Sequence, residues 1–513
     1  MAEVGGLLEV LDDFGRYEIS LFAITQLGYL PVVGSLLATN FFGPPSDPCS
    51  NGTLVNPYGF YSLLMEWQLV CSRDHILWMF SLTDVLSTTL MLGGLLGAFV
   101  AGFLADRYGR KPLVVGTMAM IGVCNALLCV LGMRSCLISG LLFLVIGAAA
   151  GGYMVVNLVL LVEAVEHSHS RLLIVSLNGW PLAMCFTAVI AFLTRHWLFY
   201  HAVVASAAFV FFAVLQCVSL ESVRWLTHHN QALHAEKIVS DIADLNTDSA
   251  SQHQSAFPLK SNCAEANVDS VEGSHKVEEM VSLAPQKYSY ADLFKHRSIG
   301  ISVVALAYCF TVSSFVSFSG YFHTSILPGD RFLNLFSMGL LKLLLGMIPF
   351  SCGSCMGRRP ILLTSVAVAT LASCVLTFML VNAQLKRTIY VNFICFVSMM
   401  SILMTSALDP NWKIMHLYST ELFPTGMRNM ARGICQVGAR LGGVLAPVMR
   451  RFYELYPAVS MAICACLLAV QWLVAVCVFP ETSRRQLPDT VPIQRRPHTS
   501  EPSPCQIRSI PCS

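Results

Sequence analysis

Asp106-Arg-Tyr-Gly-Arg-Lys-Pro112 is a short charged turn between two apolar runs, at about 78–104 and 113–132. About 20 consecutive apolar residues suffice to cross a bilayer, so each run reads as a membrane-spanning helix. Gly109 permits the tight turn between them. Outward from this turn the pattern recurs along nearly the whole chain. Twelve spans are expected, with approximate limits 17–41, 78–104, 113–132, 137–160, 173–194, 198–219, 298–320, 333–353, 361–382, 388–408, 430–449 and 457–479. A long hydrophilic stretch, about 220–297, divides them six and six and reads as a partly disordered linker. Its first part, from Ala232 to Leu245, has helical periodicity through Leu233, Ile238, Ile242 and Leu245.

The two sets of six answer each other. The turn ending at Pro112 matches Gly357-Arg-Arg-Pro360; Glu163 and Arg171 match Glu421 and Arg428; Glu221-Ser-Val-Arg224 matches Glu481-Thr-Ser-Arg484. The offsets are 248, 258 and 260 residues (360−112, 421−163, 481−221). Three matches in order at nearly one offset indicate a duplicated six-helix unit, the architecture of secondary transporters, whose binding site lies between the halves near the midplane.

Composition agrees. Of 513 residues, 55% are hydrophobic and only 12% charged, against roughly 25% charged in soluble proteins. The chain is thus an all-α polytopic membrane protein. With 32 Lys+Arg against 30 Asp+Glu, nothing points to nucleic acid. No His-Glu-x-x-His, Gly-x-Ser-x-Gly or phosphate-loop pattern occurs, so an enzyme is not expected, nor is a cofactor. Most of the 19 cysteines fall singly in apolar spans, where they act as small hydrophobes. Only Cys49 and Cys71 share a loop open to oxidation. Cys352-x-x-Cys355 lacks a second Cys/His pair, and His167, His169, His228 and His229 lack metal-ligand spacing, so no metal site is expected.

Short loops carry similar numbers of Lys and Arg on both sides and do not fix orientation. The sequon at Asn51 does so if it is glycosylated: the loop at about 42–77 is then extracellular and both termini are cytoplasmic. The organisation expected is a six-helix bundle at 1–219, a cytoplasmic linker at 220–297, a second bundle at 298–479 and a cytoplasmic tail at 480–513.

Two basic residues fall deep inside spans. Arg440 lies within Gly433-Ile-Cys-Gln-Val-Gly-Ala-Arg-Leu-Gly442, roughly 15 Å into the bilayer if its helix starts near Met430. Such a charge costs at least about 2.5–3.5 kcal/mol, which marks a functional site or an internal pair. Lys342 lies at similar depth and is either a second ligand or a snorkelling or internally paired lysine. Gln436, one turn before Arg440, shares its face. No Asp or Glu appears in the middle third of any span, with Asp84, Glu163 and Asp409 near span ends, so both cations are expected to lack a deep partner. An anionic or zwitterionic substrate would supply one. Tyr308, Phe310, Phe315 and Phe318 offer either an apolar wall for an organic substrate or ordinary packing.

Further motifs carry a resemblance. Leu11-Asp-Asp-Phe-Gly-Arg-Tyr17, Glu66-Trp-Gln-Leu-Val-Cys71, Gly102-Phe-Leu-Ala-Asp-Arg-Tyr-Gly-Arg-Lys111, Glu221-Ser-Val-Arg-Trp-Leu226, Tyr290-Ala-Asp-Leu-Phe294, Ser419-Thr-Glu-Leu-Phe-Pro-Thr-Gly-Met-Arg-Asn429 and Pro480-Glu-Thr482 with Leu487-Pro-Asp-Thr490 span nearly the full length. Through them the chain resembles the major facilitator superfamily, and within it the organic cation/anion/carnitine transporters (solute carrier family 22). The resemblance implies the major facilitator fold, two pseudo-symmetric six-helix bundles, and plasma-membrane transport of small organic ions, with an exchanged counter-ion as a further partner. Ala439-Arg-Leu-Gly442 is similar to anion- and carnitine-handling members; cation-handling ones carry an acid there. An organic cation carrier, or a receptor-like or scaffold protein without flux, remains an alternative.

The resemblance also implies ion pairs between helices that close the cytoplasmic side. They involve Asp106, Arg107, Arg110 and Lys111 with Glu163 and Arg171, and Arg358 and Arg359 with Glu421 and Arg428. Departures from the family pattern are a short first loop with two cysteines, Ser354 and Cys355 in place of Asp and Arg, and Phe315-Val-Ser-Phe-Ser-Gly320 where paired tyrosines are usual.

Overall fold

The computed structural model describes residues 15–42, 49–50, 53–54, 59–67, 82–164, 174–229, 231–247, 290–324, 327, 329–386, 391–423 and 425–482. The long helices of the first half are α1 (Arg16–Leu27), α2 (Tyr29–Leu37), α3 (Leu82–Tyr108), α4 (Arg110–Leu131), α5 (Cys136–Ala164), α6 (Trp180–Thr194) and α7 (Trp197–Val218). After α8 (Ala232–Thr247) come α9 (Arg297–His323), α10 (Arg331–Gly346), α11 (Ile348–Met356), α12 (Arg358–Lys386), α13 (Val391–Glu421), α14 (Thr425–Leu455) and α15 (Pro457–Val478). Among the described residues the only strands form a two-residue hairpin, Cys49–Ser50 with Thr53–Leu54.

Among the described residues ten segments are long and apolar enough to cross a membrane, and α13 and α14 are not among them. Both are 31 residues long and carry an internal proline, Pro410 and Pro447. This corrects the expected limits of two spans. The expected span 388–408 ends where its polar residues begin, yet the helix runs on to Glu421. Helices enclosed by other helices need no continuous apolar surface.

The first span is also jointed. Gly28 separates α1 from α2, and a 3-10 turn follows at Ala38–Phe41. In α8 the buried residues are Ala235, Ile238 and Ile242, while Leu233 and Leu245 face outward, so the apolar stripe is narrower than the periodicity suggested.

Two glycine pairs set the closest helix contacts. A Cβ on Gly93 or Gly97 of α3 would strike main-chain atoms of Leu144 and Ala148 on α5, and one on Gly147 or Gly151 would strike those of Leu90 and Gly94. In the second half Gly438 and Gly442 of α14 press in the same way on Ala307 and Thr311 of α9. Such spacing lets backbones approach where helices meet in a membrane. The halves meet along α3 with α14 and α6 with α10, a reciprocal pairing of equivalent helices.

Candidate functional site

α14 is fixed against α9 by Gly438 and Gly442. Arg440 is two residues from each, about 200° around a helix from that face, and so points to the other half. It is also the midpoint of α14, fifteen residues from Thr425 and from Leu455 (440−425, 455−440). Around it lies a small cavity of about 10 Å³, lined by Leu36, Met91, Gly94, Gly151, Phe318 and Gly443. That is room for about one water, so a larger ligand needs the halves to separate here.

The guanidinium is poorly served. Its Nη1 approaches the thioether of Met154 at 3.7 Å, a weak acceptor. Its Nε is buried without a hydrogen-bond partner. No described carboxylate lies within 4 Å of it, whereas Arg110, Lys342, Arg358, Lys413 and Arg450 each have one. The Tyr29 phenol interacts with its charge.

Lys342 departs from the sequence expectation. Its ammonium is fully buried, donates to the Thr405 carbonyl at 2.9 Å, lies 4.0 Å from Asp409 Oδ1, and sits over the Tyr321 ring at 5.2 Å. It does not line the Arg440 cavity. Because α13 extends to Glu421, Asp409 sits twelve residues inside its end (421−409) rather than at it. Deep cations therefore do have one deep acid, and Asp409 also pairs with Lys413 at 3.0 Å. Lys413 falls beyond the apolar run that ends at Leu408, so hydropathy gives no signal for it.

The aromatics divide by face. Phe318 lines the cavity and meets Trp180 edge-on at 5.8 Å. Phe310 is buried against Trp412 and His416, and Tyr308 donates to the Leu467 carbonyl at 3.3 Å. Phe315 packs into an apolar cluster of the second half. Gln436 is half-buried and does not reach the cavity lining.

At the end bearing the charged turns, the duplicated motifs build the same device twice. Gly109 has φ 106° and Gly357 φ 73°, conformations that side chains resist. A Cβ on Gly109 would also strike the Glu221 carboxylate, and one on Gly357 that of Glu481. Glu221 Oε1 accepts from the Arg110 main-chain N–H at 2.7 Å, and its Oε2 from that of Lys111 at 3.2 Å. Glu481 accepts likewise from Arg358 and Arg359 at 2.9 and 3.0 Å. Each acid thus caps the positive end of a helix.

The Arg110 guanidinium grips Glu163 through Nε at 3.1 Å and Nη2 at 3.2 Å, and Arg358 pairs with Glu421. Asp106 also pairs with Arg110, but its side chain is 79% exposed against 19% for Glu163, so Glu163 is the stronger partner. Arg107 lies on the Tyr108 ring, and Lys111 contributes its main chain. These clusters stay within their own halves. Across the divide, Arg432 on α14 feels the charge of Glu163. The sequence shows Glu221 and Glu481 only as a repeat; these main-chain contacts are what give them a role. Asn51, Cys71 and Arg171, like the side chains of Cys49, Arg428, Ser354 and Cys355, lie outside the described residues.

At the opposite end the halves are joined. Asn40 donates to the Tyr321 carbonyl at 2.8 Å, Phe41 stacks on Phe332 at 5.6 Å, and Arg450 lies 3.9 Å from Asp84.

Two repeated six-helix halves, closing on a central cation and capped by duplicated charged turns, define a membrane transporter of the major facilitator type. The chain belongs to the sugar (and other) transporter family, whose sequence model matches residues 59–490. The organic cation transporter protein of Drosophila melanogaster is 25% identical over 435 residues, covering 84% of this chain and 73% of that protein. Solute carrier family 22 member 6-A of Xenopus laevis is 26% identical over 461 residues (86% and 74%), and member 7 of Rattus norvegicus 28% over 486 (89% and 79%). The fold is similar to the partially occluded inward-open xylose transporter XylE from E. coli. That match has a TM-score of 0.59 and 15% identity, and covers 92% of this chain and all of the other. The protein is an integral multi-pass membrane transporter and not an enzyme.

Proposed function

We propose that the protein carries small organic anions or zwitterions by alternating access, with Arg440 as the ligand for the substrate's negative group. The observation that supports this most is that Arg440 has no carboxylate partner among the described residues. It is central, it faces the opposite half, and no described acid accompanies it. A buried guanidinium is costly, and a carboxylate matches its two-pronged donor geometry. Phe318, beside it, offers an apolar face to the rest of an organic substrate. Lys342 is held by Asp409 and Thr405, so on this reading it supports the site without touching substrate.

The Drosophila relative's name favours a cation carrier. Asp409 is the deep acid such a carrier would use, but two lysines already neutralise it, which weakens that reading. The orientation proposed puts the charged turns, both termini and the segment after Val218 in the cytoplasm of a plasma-membrane protein.

Uptake into proteoliposomes from matched panels of carboxylates, quaternary amines and zwitterions tests the assignment. Carboxylate-bearing compounds should be taken up and simple amines should not. Preferential uptake of amines would reverse it, and no uptake of any panel would favour the fluxless alternative.

A further inference from the structure

Lys413 sits where three elements converge. Its ammonium donates to the Gly346 carbonyl at 2.9 Å, where α10 ends and α11 has not begun, and pairs with Asp409 one turn earlier on its own helix at 3.0 Å. Its third partner belongs to the other half: the Ser176 carbonyl at 2.5 Å, in the segment that leads into α6. The ammonium thus donates two hydrogen bonds, both to main-chain carbonyls, and its third tie, to Asp409, is an ion pair. The side chain is 5% exposed, so no water replaces a lost acceptor while the halves stay closed. Space for this arrangement depends on Gly346, where a Cβ would strike both the Lys413 ammonium and the Asp409 carboxylate.

We propose that Lys413 is a positioning residue for the transport cycle: it ties the second half to the first through Ser176, and release of that one bond accompanies opening of the end that bears the charged turns. The charge count explains why the tie reverses. Lys342 and Lys413 share a single acid, Asp409, so among the described residues the cluster carries one positive charge more than its acid offsets. Lys342 donates one hydrogen bond to Thr405 and places its charge over Tyr321, both within the second half. The remaining attraction falls on Lys413 and is met by a neutral carbonyl across the divide. A carbonyl holds an ammonium well enough to favour closure, yet lacks the full charge that would make separation prohibitive. At about 1.5 Å per residue Lys413 lies roughly 12 Å from the end of α13 and Arg440 roughly 22 Å from the start of α14, so the tie sits nearer that end than the cavity does.

Hydrogen exchange on the full-length protein in lipid nanodiscs tests this without any substrate, so its outcome is independent of the anion reading. Lys413→Met removes the tie but leaves Lys342 and Asp409 as a balanced pair. Exchange in peptides covering 174–184 and 344–352 should then speed up about ten- to a hundred-fold, the equilibrium shift expected for one charged hydrogen bond. Lys413→Arg, which keeps donors and charge, should restore most of the protection. Lys342→Met, which breaks no bond between the halves, should leave the 174–184 segment as in the wild type. Unchanged exchange in Lys413→Met, or an equal effect of Lys342→Met on 174–184, would overturn the proposal. If Lys413→Met does not fold, Lys413→Gln is read by the same criteria.

Discussion

Replacing Glu221 by Gln changes one atom and removes half of a helix cap. In the native protein its two carboxylate oxygens face the main-chain N–H groups of Arg110 and Lys111, which open α4 and have no partners within that helix. In Glu221→Gln one oxygen becomes an NH₂ that meets another donor. Losing a charge-assisted hydrogen bond costs about 1.5–3 kcal/mol, and losing the negative charge at a helix N-terminus about 0.3–1 kcal/mol more. The total, about 2–4 kcal/mol, should lower the melting temperature by roughly 4–16 °C for a half of some 200 residues. Glu481→Gln should do the same in the second half, where the acid caps Arg358 and Arg359 at similar distances. Because the two acids share no partner, the effects should add in the double variant. Intrinsic-fluorescence melting of the purified protein in nanodiscs gives the answer. If each single variant melts within 1 °C or so of the wild type, the caps are not what these duplicated acids provide.

Two other outcomes follow from the geometry. Asp409→Asn leaves Lys342 and Lys413 buried without an acid, so it should destabilise the protein by about 3–5 kcal/mol; adding Lys342→Met should recover part of that, and a wild-type melting curve for Asp409→Asn would count against the shared-acid description. An epitope inserted near residue 250 should stay inaccessible on intact cells and become accessible on permeabilisation; surface labelling without permeabilisation would reverse the proposed orientation.

The fold was legible because bilayer thickness imposes run lengths that few other structures need, and because duplication repeated the charged turns at nearly one offset. The limits of α13 and α14 were not. Pro410, Asn411, Lys413 and His416 end the apolar run after Leu408, yet they are enclosed by neighbouring helices and so remain within a 31-residue helix. Ending the span at Leu408 puts Asp409 at its edge, whereas the longer helix places it deep and makes it the partner of Lys342. Arg440 was legible because a lone charge between Gly438 and Gly442 has no soluble-protein explanation. On α9 the sequence could not select among aromatics, since only packing shows that Phe318 faces the centre while Phe310 turns toward Trp412 and His416.

The central claim is that the Arg440 guanidinium is the substrate's anion ligand. It is tested most directly by comparing Arg440→Ala, Arg440→Lys and Arg440→Asp with the wild type for uptake of a carboxylate and of its amine analogue at equal surface expression. The account predicts that Arg440→Ala loses carboxylate uptake, that Arg440→Lys recovers little because a point charge lacks the two-pronged fork, and that Arg440→Asp moves preference toward the amine. Carboxylate uptake by Arg440→Ala at the wild-type rate would contradict it.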